Sequence, residues 1–245
     1  MTGLVTQGKG RQLALALQWQ DSQDFASFVP GSANQLPLDA LQQLLQDADG
    51  GALYLWGQPG SGKTHLLRAA CASLQQQGRQ AVYLTPASPP SHWPELDQLA
   101  AMGAGTLLAI DDVQRCKDWQ QQALFGLFNA ARQQRQAFLA AGDSAPAALP
   151  LRDDLRTRLA WGLALGLQPL DDSERLQALQ ALAARRGFAL GDELSRYILN
   201  HHARDMGSLN RLVEQLDTHA LERGRAASIP LLKSMLAQPD PPPTR

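Results

Sequence analysis

The chain has 245 residues, is 44% apolar and carries a formal net charge of −1. That length suits one large domain or two small ones, with ample material for a buried core. Near-neutral charge argues against a protein held to nucleic acid by bulk electrostatics, and no apolar run of about 18 residues is there to cross a membrane.

Residues 1–11 are polar and lack the apolar centre of a signal peptide. Residues 12–19 alternate, with Leu13, Leu15, Leu17 and Trp19 on one side if extended. Pro37 opens a helical pattern through Leu38, Leu41, Leu44 and Leu45, which Gly50 and Gly51 stop. Residues 52–56 form an apolar run, residues 57–64 read Gly-Gln-Pro-Gly-Ser-Gly-Lys-Thr, and residues 63–77 follow as a helix that Gly78 ends. This matches a phosphate-binding loop at every defined position, in the strand–loop–helix context that its chemistry requires. Gly57, Gly60 and Gly62, with Gln58, Pro59 and Ser61 between them, let the backbone curl into a nest of N–H groups for phosphate oxygens. The following helix N-terminus adds partial positive charge. Lys63 is placed to neutralise β- and γ-phosphates, and the Thr64 hydroxyl to bind Mg²⁺. A nucleoside diphosphate or triphosphate is the expected ligand.

Residues 81–84 read as a second strand, and a Pro/Ser-rich loop over 86–94 leads to a short helix near 95–102. Residues 106–110 are apolar throughout, as in a strand covered on both faces. They run into Asp111 and Asp112. A carboxylate at this strand end, beside a phosphate loop, is where Mg²⁺ is held, often through water; Asp111 fits that role. Asp112 suits the orientation or deprotonation of a water, although an aspartate here also caps a following turn. Residues 118–134 are helical and residues 137–141 form a fourth strand, ending in Gly142, Asp143 and Ser144. Asp143 is placed either to reach a γ-phosphate or attacking water, or to make an Asx-turn ahead of Pro146.

Residues 151–160 form a helix bearing Arg152, Arg156 and Arg158. Arg152 and Arg156 share a face, and Arg158 points about 200° away from Arg156. Local pairs, Asp153 with Arg156 and Asp154 with Arg158, compete here with an arginine finger at Arg158, and spacing does not choose between them. Residues 162–167 supply a fifth strand. Strands and helices alternate up to residue 168, which predicts an α/β fold: a parallel five-stranded sheet flanked by helices. From Pro169 the pattern is helical only. The expected division is a leader over 1–20, a nucleotide-binding core over 21–168, a helical lid over 169–237 and a proline-rich, disordered tail over 238–245. Cys71 and Cys116 have no metal-ligand spacing and read as reduced, buried thiols of a cytosolic protein.

Together these segments resemble the initiator clade of the AAA+ ATPases, the DnaA-type proteins. The resemblance covers about residues 20–236 and is carried by residues 28–34 (Phe-Val-Pro-Gly-Ser-Ala-Asn), 57–66, 110–114 (Ile-Asp-Asp-Val-Gln), Gly142-Asp143 and 155–162 (Leu-Arg-Thr-Arg-Leu-Ala-Trp-Gly). It implies a P-loop AAA+ core with a C-terminal helical lid, holding ADP or ATP with Mg²⁺. By this resemblance Phe28, Val29 and Asn34 pack around the adenine, His65 continues the phosphate loop, and Arg158 is the arginine finger. The clade opens its third lid helix with a nucleotide-sensing arginine. The register puts Gly207 there, leaving Arg204 and Arg211 as candidate replacements, with Arg211 counted among the nucleotide contacts.

Gln12, Leu13, Leu15 and Leu17 resemble the Gln-Leu-x-Leu peptides that bind the DNA polymerase sliding clamp. Leu15 and Leu17 would fill an apolar pocket and the Gln12 amide a polar rim. Read by itself such a stretch is more often an ordinary strand; ahead of an initiator-type module the clamp reading is preferred. Initiators continue past the lid into a basic helix-turn-helix reader of DNA, whereas residues 239–243 here are proline-rich, so a stand-alone module is expected. The combination resembles regulatory inactivators of the initiator. It implies a cytoplasmic bacterial protein, brought to the nucleoid by the clamp, that promotes ATP hydrolysis by DnaA through Arg158. Its partners would be DnaA, the clamp and, through the clamp, DNA, with no membrane and with homo-oligomerisation open. The alternative is a self-assembling AAA+ ATPase or helicase-loader-type motor, favoured by the complete phosphate loop. A third reading is an adaptor that uses nucleotide only to fold.

Overall fold

The structure, a computed structural model, describes residues 24–202 and 205–237. Gln12, Leu13, Leu15, Leu17, Arg204 and the proline-rich tail lie outside the described residues. Among the described residues no helix is long and apolar enough to cross a membrane.

The apolar runs become five strands: β1 (Gly51–Trp56), β2 (Ala81–Leu84), β3 (Leu107–Ile110), β4 (Ala137–Gly142) and β5 (Leu163–Gly166). They pair in parallel in the order β2-β3-β4-β1-β5. The central strands β3 and β4 are buried at every residue, which explains why they read as unbroken hydrophobic runs. Around them lie α1 (Gln35–Gln46), α2 (Lys63–Gln76), α3 (Leu96–Ala101), α4 (Asp118–Gln133) and α5 (Asp153–Leu159). One face of the sheet packs Leu41, Leu66, Leu67 and Leu74 against Leu53, Leu55 and Leu139. The other packs Leu124, Leu127 and Phe128 against Tyr54, Leu108 and Phe138.

Beyond β5 the chain is helical: α6 (Asp172–Arg185), α7 (Asp192–His201), α8 (Met206–Arg223) and α9 (Ile229–Leu236). These helices close a separate core of Leu179, Leu194, Ile198, Leu209, Val213, Leu216 and Leu232. Three of their starts are fixed by side-chain caps, Asp171 for α6, Asp205 for α8 and Ser228 for α9.

Cys71 and Cys116 are free and buried, and burial pushes both thiols up to about 12. The sheet positions the site by register. Trp56, at the end of β1, pairs with Gly142 at the end of β4, and Ile110 of β3 pairs with Ala140. The phosphate loop, Asp111-Asp112 and Asp143 therefore all leave the sheet at its carboxyl edge, where the strand order jumps from β4 to β1. Leu139 lies at the centre of this frame and is fully buried. Leu139→Ala should cost about 2–5 kcal/mol, measured as a lower urea midpoint with an unchanged slope.

Candidate functional site

Lys63 opens α2, with Gly62 before it in the left-handed region at φ 97°. A Cβ at Gly62 would lie 2.6 Å from Cε2 of Phe28, so only glycine lets that ring close over the loop. No side chain caps α2, which leaves its first N–H groups available to an anion. The Lys63 ammonium curls beneath the loop. Its Nζ donates to the Gly57 carbonyl at 2.6 Å and the Gln58 carbonyl at 2.9 Å, and lies 3.4 Å from Ser61 Oγ. Burial pushes its pKa below the usual lysine range, against the opposing pull of Asp111, Asp112 and Asp143.

A cavity of about 500 Å³ opens above this loop. Pro59, Gly60, Ser61, Gly62, Lys63, Thr64 and His65 line it from the core. Gly57 and Gln58 do not line it; their carbonyls serve Lys63 instead. Phe28, Val29 and Asn34 form a second wall, and Asp112 and Asp143 a third. Asp205, Met206, Gly207 and Arg211 reach the cavity from α8 and its cap. Arg211 donates to Ser208 Oγ at 3.1 Å within α8.

Asp111 is only 3% exposed and is not among the lining residues. Its Oδ2 accepts from Tyr83 Oη at 2.9 Å and its Oδ1 from the Asp112 N–H at 3.0 Å. Asp112, at φ 53°, is the carboxylate turned to the cavity, and Arg115 stands 3.8 Å from it. Among the described residues no group of three or more His, Cys, Asp or Glu side chains gathers as a metal cage. Thr64 offers one hydroxyl oxygen. A Mg²⁺ here would draw its other ligands from phosphate and water, the arrangement this ion favours.

Two expected nucleotide contacts, Asn34 and His65, have polar work of their own. Asn34, 2% exposed, donates through Nδ2 to the Gln168 carbonyl and accepts from the Gln168 N–H, both at 2.8 Å. His65 Nε2 lies 2.9 Å from the Asp24 carbonyl and 3.3 Å from Ser27 Oγ, with the Phe28 ring tilted against it at 5.5 Å. Burial lowers the His65 pKa despite the Asp24 carbonyl and carboxylate, so the imidazole sits neutral at pH 7.

Arg158 is partly exposed and does not line its own cavity. Its Nε donates to Asn129 Oδ1 at 3.3 Å, and its guanidinium lies 5.2 Å from the Phe125 ring and 5.5 Å from that of Trp161. Trp161 is 54% exposed and carries Arg132 stacked on it at 3.6 Å. The expected Asp154–Arg158 pair does not form. Residue 152 caps α5 rather than joining it, which brings its guanidinium to Asp154 at 2.7 Å. The Asp153–Arg156 pair does form. Phe125, Asn129 and Arg132 were not anticipated as part of this ledge. Phe125 falls outside the buried stripe of Leu124, Leu127, Phe128 and Ala131 on α4, and an aromatic displaced from such a stripe was the available signal.

Two family models match the chain. Residues 19–88 match the bacterial DnaA ATPase domain and residues 172–236 match the lid domain of Hda. Among solved structures, domain III of the replication initiation protein DnaA from Thermotoga maritima is 20% identical, covers 88% of this chain and 96% of that one, and has a TM-score of 0.70. AMPPCP-bound DnaA from Aquifex aeolicus is also 20% identical, covering 82% of this chain and 67% of that one with a TM-score of 0.67. The RuvB Holliday junction branch migration motor of Thermotoga maritima is 17% identical, covering 86% and 72% with a TM-score of 0.58. At these identities the structural likeness is one of fold. The chain is a P-loop AAA+ module, with a five-stranded parallel core and a helical C-terminal region. Within that class it is a DnaA-related module whose lid is of the Hda type.

Lys63→Ala should weaken ADP binding by about 10- to 100-fold, the value of about 1.5–3 kcal/mol carried by a charged hydrogen bond. Titration calorimetry checks this, with the melting temperature of the ligand-free chain as the folding control.

Proposed function

We propose that this chain regulates the initiation of chromosomal replication by docking on the sliding clamp and promoting ATP hydrolysis by the initiator DnaA. On this reading residues 1–20 are the clamp-binding leader, residues 21–168 the nucleotide-binding core and residues 169–237 the lid. The core retains ADP or ATP: loop N–H groups and Lys63 take the phosphates, while Phe28 and Val29 flank the base. Mg²⁺, when bound, would neutralise phosphate charge, with Thr64 as a ligand and Asp111 behind it through water. Asp112 and Asp143 stand where a water beside the terminal phosphate would be oriented.

The observation that carries the proposal is the position of Arg158. A guanidinium meant for its own nucleotide would face its own cavity. This one rests outside it, gripped at Nε by Asn129 and backed by Phe125 and Trp161. Presented to the site of an ATP-bound initiator, it would stabilise the charge that develops on the transferring phosphoryl oxygens. Such a contribution is about 10³–10⁵ in rate. Desolvation at the interface would strengthen it, because Coulomb energy rises as the dielectric falls. Gln12, Leu13, Leu15 and Leu17 would tether the chain to clamps already loaded on DNA, raising its local concentration there. The initiator is left with ADP, and a second firing is prevented.

The test is initiator ATP turnover in the presence of DNA-loaded clamp. Arg158→Ala and Gln12→Ala should each return turnover towards the rate of the initiator alone. Native stimulation in both variants would reject the mechanism. A preserved effect in Arg158→Ala alone would favour the adaptor reading. The complete phosphate loop supports a second reading, a self-assembling motor. That reading expects ATP-dependent rings or filaments and substantial turnover by the isolated chain.

A further inference from the structure

Residues 24–34 run between the phosphate loop and α6 and are fastened to both. On the loop side, the Asp24 carbonyl and Ser27 Oγ meet His65, and Phe28 closes on Gly62. On the other side, Ser32 donates to Glu174 Oε1 twice, from its N–H at 2.7 Å and its hydroxyl at 2.9 Å. Arg185 donates to the Ala26 carbonyl and lies 3.7 Å from the Asp24 carboxylate. Glu174 stands in the first turn of α6 and Arg185 in its last. The segment is thus pinned at both ends of a 14-residue helix, a rod about 20 Å long. Gly31, at φ 61°, passes so close that a Cβ would lie 2.8 Å from Glu174 Oε1 and from Leu170.

The ionic states agree with this geometry. Hydrogen bonds from Ser32 and the Asp171 N–H hold the Glu174 carboxyl below its usual range. Burial pushes Asp24 up, but hydrogen bonds from Ser27 and the charge of Arg185 outweigh it and leave it lowered.

The cavity is bounded on one side by Ser27, Phe28 and Val29 and on the other by Leu170, Met206 and Arg211. The contacts just described and the Asn34–Gln168 pair join these two walls. We infer that residues 24–34 are a strap that latches the helical region onto the phosphate loop, so that nucleotide exchange is gated by opening of the Ser32–Glu174 and Asp24/Ala26–Arg185 contacts. The inference rests on the nucleotide-binding reading above.

The test is the dissociation rate of mant-ADP, chased with excess ADP in a stopped-flow instrument. Native chain, Arg185→Ala, Arg185→Lys, Glu174→Gln and Lys63→Ala are compared. Arg185→Ala and Glu174→Gln should each speed release by about 3- to 10-fold, with Arg185→Lys in between. Release within twofold of native in both variants, at native melting temperature, overturns the strap and leaves the nucleotide reading standing. Absence of Lys63-dependent mant-ADP binding by the native chain overturns both. Should a variant fail to fold, hydrogen exchange on the native chain decides. The Ser32 amide should slow when ADP saturates the site, and an unchanged rate overturns the latch.

Discussion

A buried ammonium needs partners, and Lys63 finds them in the carbonyls of Gly57 and Gln58, six and five residues earlier in the chain. This contact shapes the loop. It turns two carbonyls inward under the lysine, and the Gln58 carbonyl also accepts from the Ser61 N–H at 3.2 Å. The three aspartates that oppose desolvation of Lys63 arrive from two other strand ends. The pairing of β1 with β4 and of β4 with β3 is therefore what brings these carboxylates near the ammonium, where they oppose the lowering of its pKa by burial. A register slip in β4 would move Asp143 and weaken the loop at the same time.

The same strand order separates two arginine environments. Arg211 reaches the cavity from the helical region, whereas Arg158 leaves the core at the end of α5 and lies on an aromatic ledge. The arginine that lines the cavity and the arginine that lies outside it are thus built on different layers. The ledge is also redundant in its chemistry: Arg132 covers the Trp161 face at 3.6 Å, leaving Arg158 at the longer distance of 5.5 Å.

Much of the fold was legible in the sequence because local signals and global packing agree. Strand runs such as residues 106–110 were apolar since helices cover both faces, and the glycine loop had its strand and helix in the required order. What was not legible depends on contacts distant in sequence. The clamp of the Asn34 amide on the Gln168 backbone, 134 residues away, has no local signal. Asp111 stands at the strand end as expected, and the tyrosine on β2 that donates to one of its oxygens has no local signal. The expected Asp154–Arg158 pair failed over a shift in one helix start. With residue 152 as the cap, Asp154 met a nearer guanidinium. Helix boundaries move by a residue or two for small energies, and side-chain pairing follows them.

Both native thiols lie deep in the α/β core, Cys71 on α2 and Cys116 just after β3, and burial holds them protonated. Thiolates are the nucleophiles that attack maleimides and thiol-directed nitroxide reagents, so neither position competes for label. An engineered surface pair, one on α6 and one on α4, would take up spin or fluorescent reporters selectively on an otherwise unaltered background. The protein comes ready-made for molecular rulers that span its two layers.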